Sequence, residues 1–205
     1  MKNSILLLAF PLCTLIAAGD HAQDDYILTR EYAVTIDGTS NLRDWKENVG
    51  QVTGDMTAVL NPDGSVDLVS IRIKMAVLSI KSDMGRVMDN KTYEALKATR
   101  YPDILFTLST PLKLSQVSDG RQPVPVKGDL LLAGVCRPVV MQVKTFAFDQ
   151  GKLLFEGTEN IRMTDYGVKP PSALFGTMKA APDITIHFKT NFIKPTISTF
   201  LKNQQ

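Results

Sequence analysis

Few residues in this chain could carry chemistry. Two histidines occur in 205 residues, His21 and His187, beside two cysteines, Cys13 and Cys136. A zinc site needs Cys and His clustered at short spacing, which two distant histidines cannot supply. A Ser-His-Asp triad would have to use His187, because His21 lies in a polar leader. His187 alternates with Ile186 and Phe188, so it is expected on the polar, outward face of a strand. No Gly-rich phosphate loop and no Gly-x-Ser-x-Gly elbow occurs. Arg137 would favour a thiolate at Cys136, but the sequence reads as a half-buried turn cysteine. Two carboxylates remain. Asp44 and Asp165 could act as an acid–base pair if their loops meet at one end of the fold. Such work needs a pKa shifted by burial or by a like charge, and Asp44 can equally serve a turn or pair with Arg43. No catalytic residue, metal or cofactor is assigned.

The elements that would position these groups follow a period of two. From Val66 to Leu78 the odd positions read Val69, Ile71, Ile73, Met75 and Val77, with Ser70, Arg72 and Lys74 between them. In an extended chain such a run has one apolar and one polar face. Further runs are expected near Tyr26–Ile36, Val52–Leu60, Asp103–Ser109, Val126–Ala133, Pro138–Phe148, Lys152–Met163 and Asp183–Phe192. Asn61-Pro62-Asp63-Gly64 predicts a hairpin turn, since Pro presets one turn angle and Gly accepts positive φ. Alternation fails between Met84 and Thr99, where a short helix capped by Asp89 or Asn90 is expected, ended by Pro102. Thr39–Asn48 reads as a separate insert carrying Trp45, and Thr164–Pro182 as an irregular stretch. Eight strands joined mostly by short turns favour an all-β, antiparallel barrel with one short helix after the third strand. Closure removes exposed edges, and a sandwich is the competing arrangement.

Residues 1–19 read as a secretory signal peptide, with Lys2, an apolar run from Ile5 to Ala18, and small residues at Ala17-Ala18-Gly19. The expected product is periplasmic or secreted, without an integral membrane span after cleavage. Residues 20–192 form the expected barrel domain and 193–205 a tail. Loss of the leader removes Cys13 and leaves Cys136 without an intrachain partner. The formal charge of +2 falls to about +1, too little to steer nucleic acid. A monomer or a homodimer is compatible with this surface.

Eight strands enclose space for packed side chains or for one small ligand. The inward apolar faces offer Ile71, Ile73, Met75, Phe106, Leu130, Leu132, Met141, Val143, Phe155 and Ile186 as walls of such a site. Met56, Met75 and Met141 favour an adaptable interior. The loops holding Arg43, Asp44, Trp45, Asp165 and Tyr166 are expected to close one barrel end or to meet a ligand head group.

Five pieces, in order, resemble the YceI-like family. They are Asp37-Gly38-Thr39-Ser40-Asn41-Leu42-Arg43-Asp44-Trp45; Leu78-Ser79-Ile80 followed by Met88-Asp89; Tyr101-Pro102-Asp103-Ile104-Leu105-Phe106; Gly128 to Val135; and Met163-Thr164-Asp165-Tyr166-Gly167. The resemblance runs from about Tyr32 to Phe192. It implies a lipocalin-like barrel that holds a polyisoprenoid, a quinone or a similar amphiphilic lipid. One departure stands out: a better-known branch has a His near the first strand, where this chain reads Arg43-Asp44-Trp45. Ligand identity is therefore not carried over.

Overall fold

The computed structural model describes residues 23–114, 122–148, 152–173 and 176–195. The expected signal peptide, Cys13, His21 and most of the expected tail lie outside those residues. The strands are β1 (Asp24–Leu28), β2 (Ala33–Ser40), β3 (Trp45–Val49), β4 (Val52–Leu60), β5 (Val66–Ala76), β6 (Ile80–Ser82), β7 (Asp103–Leu108), β8 (Leu112–Leu114), β9 (Val124–Leu132), β10 (Val135–Phe148), β11 (Lys152–Arg162), β12 (Ser172–Ala173) and β13 (Met178–Ile193). Helix α1 (Arg86–Ala95) lies between β6 and β7. Neighbours in the sheet run β1, β4, β5, β7, β9, β10, β11, β13, and β13 pairs back to β1 through Ile27–Ile193 and Leu28–Phe192. The barrel is therefore closed, eight-stranded and antiparallel throughout.

β2, β3 and β6 extend the walls begun by β1, β4 and β5. All three walls break at one level, at residues 29–32, 50–51 and 77–79. The Tyr32 hydroxyl ties this belt by donating to Gly50 O at 2.8 Å and accepting from Val52 N at 3.1 Å. Gly50 N donates to Ser79 O, and Gln51 N to Ser79 Oγ. The expected single strand over Tyr26–Ile36 is thus two, because the tyrosine hydroxyl takes over where the ladder stops.

Four other expectations change. The segment Thr39–Asn48 is no insert; it is the tip of the β2–β3 hairpin, with Trp45 paired to Gly38. Val69 leaves the inward row, because the β4–β5 register slips between Thr57 and Ala58 and makes Val69 the extra residue of a bulge. Leu68, 2% exposed, takes its place. The helix is capped by Gly85 at φ 85°, and Asp89 instead accepts the Ser82 amide at 2.7 Å. Thr164–Pro182 contains a 3-10 turn, the short β12 and the start of β13, whose register shifts between Ala180 and Ile184.

The barrel is solid at the end away from α1. Tyr26, Met56, Leu153, Val66 and Phe192 are at most 1% exposed there. Phe155 and Phe192 meet edge-to-face with centroids 5.8 Å apart. Met56 belongs to this plug, not to an adaptable cavity wall.

Candidate functional site

Above the plug the barrel holds a void of about 100 Å³. Its walls come from alternate residues of successive strands, as the pleat demands. β5 contributes Ile71, Ile73 and Met75; β7 Phe106; β9 Leu130; β10 Met141 and Val143; β11 Phe155; β13 Ile186. Leu132, expected with them, lies one level higher. It lines a second void of about 60 Å³ that reaches α1 through Thr92 and Ala95. Met75, Leu130 and Ile186 face both voids and divide one apolar column into two chambers. Ile73, Met75, Met141, Ile186 and Phe188 line the void yet keep partial exposure, unlike the plug residues. Glycine makes room for one wall ring: a Cβ at Gly128 would sit 2.0 Å from Phe106.

Val34, Leu68, Val126, Val139, Ile161 and Phe188 also line the void. Two polar residues join them, Thr190 and Glu159. The Thr190 hydroxyl donates to Phe155 O at 3.4 Å. Glu159 shares the inward parity of Phe155 and Ile161, a signal legible in the sequence, and burial raises its carboxyl pKa.

The upper chamber contains a second carboxyl that sequence reasoning missed. Glu47 on β3 is 4% exposed, and Thr92 of α1 donates to its Oε1 at 2.5 Å. Burial raises its pKa, the Thr92 bond opposes this, and Asp89 and Asp83 add to the rise. Asp89 behaves oppositely: the Ser82 amide and then Lys81 hold its carboxyl below the usual range, against desolvation. Strand parity from Trp45 through Glu47 to Val49 marks Glu47 as inward.

The expected rim loops do meet at the α1 end. Asp44, Trp45 and Asp165 line one open outer groove with Asp37, Asp83 and Asp183. Arg43 and Asp44 are exposed, and Arg43 lies 3.8 Å from Asp83. Trp45 donates its indole N–H to Thr39 O and lies over Gly38, where a Cβ would approach within 2.1 Å of the ring. Tyr166 is buried, and burial raises its hydroxyl pKa. Asp44 and Asp165 thus share a groove, but both face solvent, without the burial that tunes a general acid or base. His187 also faces outward, 3.4 Å from Asp37. Cys136 is an exposed strand residue, not a half-buried turn residue, because β10 begins before it.

A closed meander of eight walls around an apolar column defines an up-and-down β-barrel. The chain belongs to the YceI-like family: residues 32–192 match the family described as YceI-like domain. Proteins named UPF0312 from Pseudomonas savastanoi pv. phaseolicola and Pseudomonas syringae pv. syringae are each 26% identical over 208 residues, covering 92% of this chain and 97% of theirs. The barrel is also similar to BcnA of Burkholderia cenocepacia, at TM-score 0.58 and 17% identity over 78% of this chain and 95% of that one. A polyisoprenoid binding domain from Saccharophagus degradans, implicated in plant cell wall breakdown, superposes at TM-score 0.59 and 11% identity, covering 83% and 98%.

Proposed function

We propose that this barrel is an exported carrier that holds a long apolar chain, of a polyisoprenoid, quinone or similar amphiphilic lipid. One observation carries the reading: an apolar column interrupts the interior above a solid plug, and among its walls Ile73, Met75, Met141, Ile186 and Phe188 remain partly accessible. The mechanism is burial, not catalysis. Each methylene removed from water contributes about 0.8 kcal/mol, so chain length sets affinity and few polar contacts are needed. The polyisoprenoid binding domain of Saccharophagus degradans supports the same kind of cargo. The leader supports periplasmic or secreted placement, which N-terminal sequencing of the processed protein tests.

Volume constrains the reading. About 100 Å³ equals the share of roughly three water molecules, below the roughly 300 Å³ at which ordinary ligand pockets begin. A long chain must therefore push Met75, Met141 and their neighbours aside, which thioether side chains permit. The same small volume favours a second reading, a packed barrel with no cargo. Native mass spectrometry after purification without organic solvent separates the two. A carrier retains an added lipid mass or takes up a supplied long-chain alcohol. Bare protein in both experiments overturns the proposal.

A further inference from the structure

The wall opens at a seam between β10 and β11. β10 and β11 pair from Phe148–Lys152 up to Gln142–Thr158, and there the ladder ends. Beyond that point β10 stays with β9 from Val135 to Val143, while β11 stays with β13 up to Arg162. The two strands part like a fork. Pro138 fits this arrangement: it lies in the stretch of β10 that has a single neighbour, where a missing N–H is tolerated. Across the outer mouth of the fork Arg137 Nε donates to Asp165 O at 2.5 Å.

Glu159 is the first residue of β11 past the last rung. It faces the void, pairs across the ladder with Ile186, and is only partly covered. Among the described residues it has neither a hydrogen-bond partner nor an ion pair. A carboxyl beside apolar walls is partly screened from water, and an occupant that donates a hydrogen bond offsets that lost solvation. An anionic head there would meet like charge.

Resting on the carrier reading, we propose that Glu159 receives the polar head of the occupant at the β10–β11 fork, and that this head is a hydrogen-bond donor, a hydroxyl or an amine, not an anion. The chain then lies in the column while the head sits where the wall is open. This assigns a direction of loading, head at the fork and tail toward the Phe155–Phe192 plug.

Displacement of Nile red by three probes of equal chain length, dodecanol, dodecylamine and dodecanoate, tests the assignment. In the unaltered protein the alcohol and the amine should displace the dye at about tenfold lower concentration than the carboxylate, the worth of one charge-assisted hydrogen bond. Glu159→Gln should remove the amine's advantage and bring the carboxylate close to the alcohol, because the amide carries no charge and its N–H can donate to a carboxylate. Glu159→Leu should bring all three within about twofold while Nile red still binds, a sign that the barrel remains intact. Equal displacement by all three in the unaltered protein, or an order that persists in E159L, overturns the head-group assignment and leaves the carrier reading standing. Failure of the dye and of every probe to bind the unaltered protein overturns both.

Discussion

Leu130→Ala tests whether the interior is a divided column. Leu130 is 5% exposed and faces both chambers. Truncation deletes three carbons, worth about 2.4 kcal/mol in transfer free energy at about 0.8 kcal/mol each. The space left behind adds a cavity cost, because plug and walls relax incompletely, for a total of about 3–4 kcal/mol. Urea unfolding of the delipidated protein should show this as a lower midpoint with an unchanged slope. The same truncation joins the void of about 100 Å³ to that of about 60 Å³. A long-chain alcohol should then stabilise L130A more than it stabilises the unaltered protein, since less wall must move to admit it. At one hundred times its dissociation constant a ligand contributes about 2.7 kcal/mol, so a tighter fit is readable as a larger midpoint shift. A loss under about 1 kcal/mol on truncation, or no extra gain from the alcohol, refutes the divided column.

Four further outcomes follow from named contacts. Thr92→Val removes the hydrogen bond that α1 donates to the Glu47 carboxyl and should cost about 1–3 kcal/mol in thermal or urea unfolding, with Thr92→Ser restoring most of it. Glu47 titrates above its ordinary 4.5 in the folded state, so the folded protein binds the extra proton and stability falls as pH rises from about 4.5 through the raised value. Melting temperatures across that range should decline for the unaltered protein relative to Glu47→Gln; parallel curves would refute the assignment. Asp89 adds the opposite slope below about 3.8, where its depressed pKa makes stability fall as pH drops. Gly128→Ala drives a Cβ to 2.0 Å from the Phe106 ring and 2.8 Å from Thr107 O, so it should cost about 1–3 kcal/mol and weaken chain binding, both read by unfolding with and without the alcohol.

Alternation located the barrel because a closed sheet imposes a period of two on every wall. It misplaced boundaries wherever another force ended or prolonged a strand. Tyr32 shares its parity with Leu28, Val34 and Ile36, yet its hydroxyl replaces ladder bonds across the Gly50–Gln51 break. Pro138 and Pro182 look like strand limits, and both lie inside strands. One sits in the stretch of β10 that has a single neighbouring strand, the other where the β13 register shifts. A local signal cannot distinguish a strand that ends from a strand that merely loses one partner. Val69 failed for a related reason: a single bulged residue flips parity, and nothing in Val69-Ser70-Ile71 announces which side absorbs it.

The site was legible to the same depth. Apolar wall residues could be read from parity, since burial is what drives that pattern. Their assignment to chambers could not, because Leu132 and Leu130 differ by one level along the axis and only the closed barrel fixes the levels. The inward carboxyls are visible by parity alone, but a charged residue is ordinarily expected on the outward face. That rule inverts inside a barrel. A charged residue in an apolar row is the informative exception, since its burial is costly unless something compensates. Glu47 is compensated from within the fold by Thr92. Glu159 has no such partner among the described residues, and it stands where the wall divides. Two glutamates at inward positions therefore mark different things: one fastens the helix to the barrel, and the other leaves a polar contact open to whatever enters.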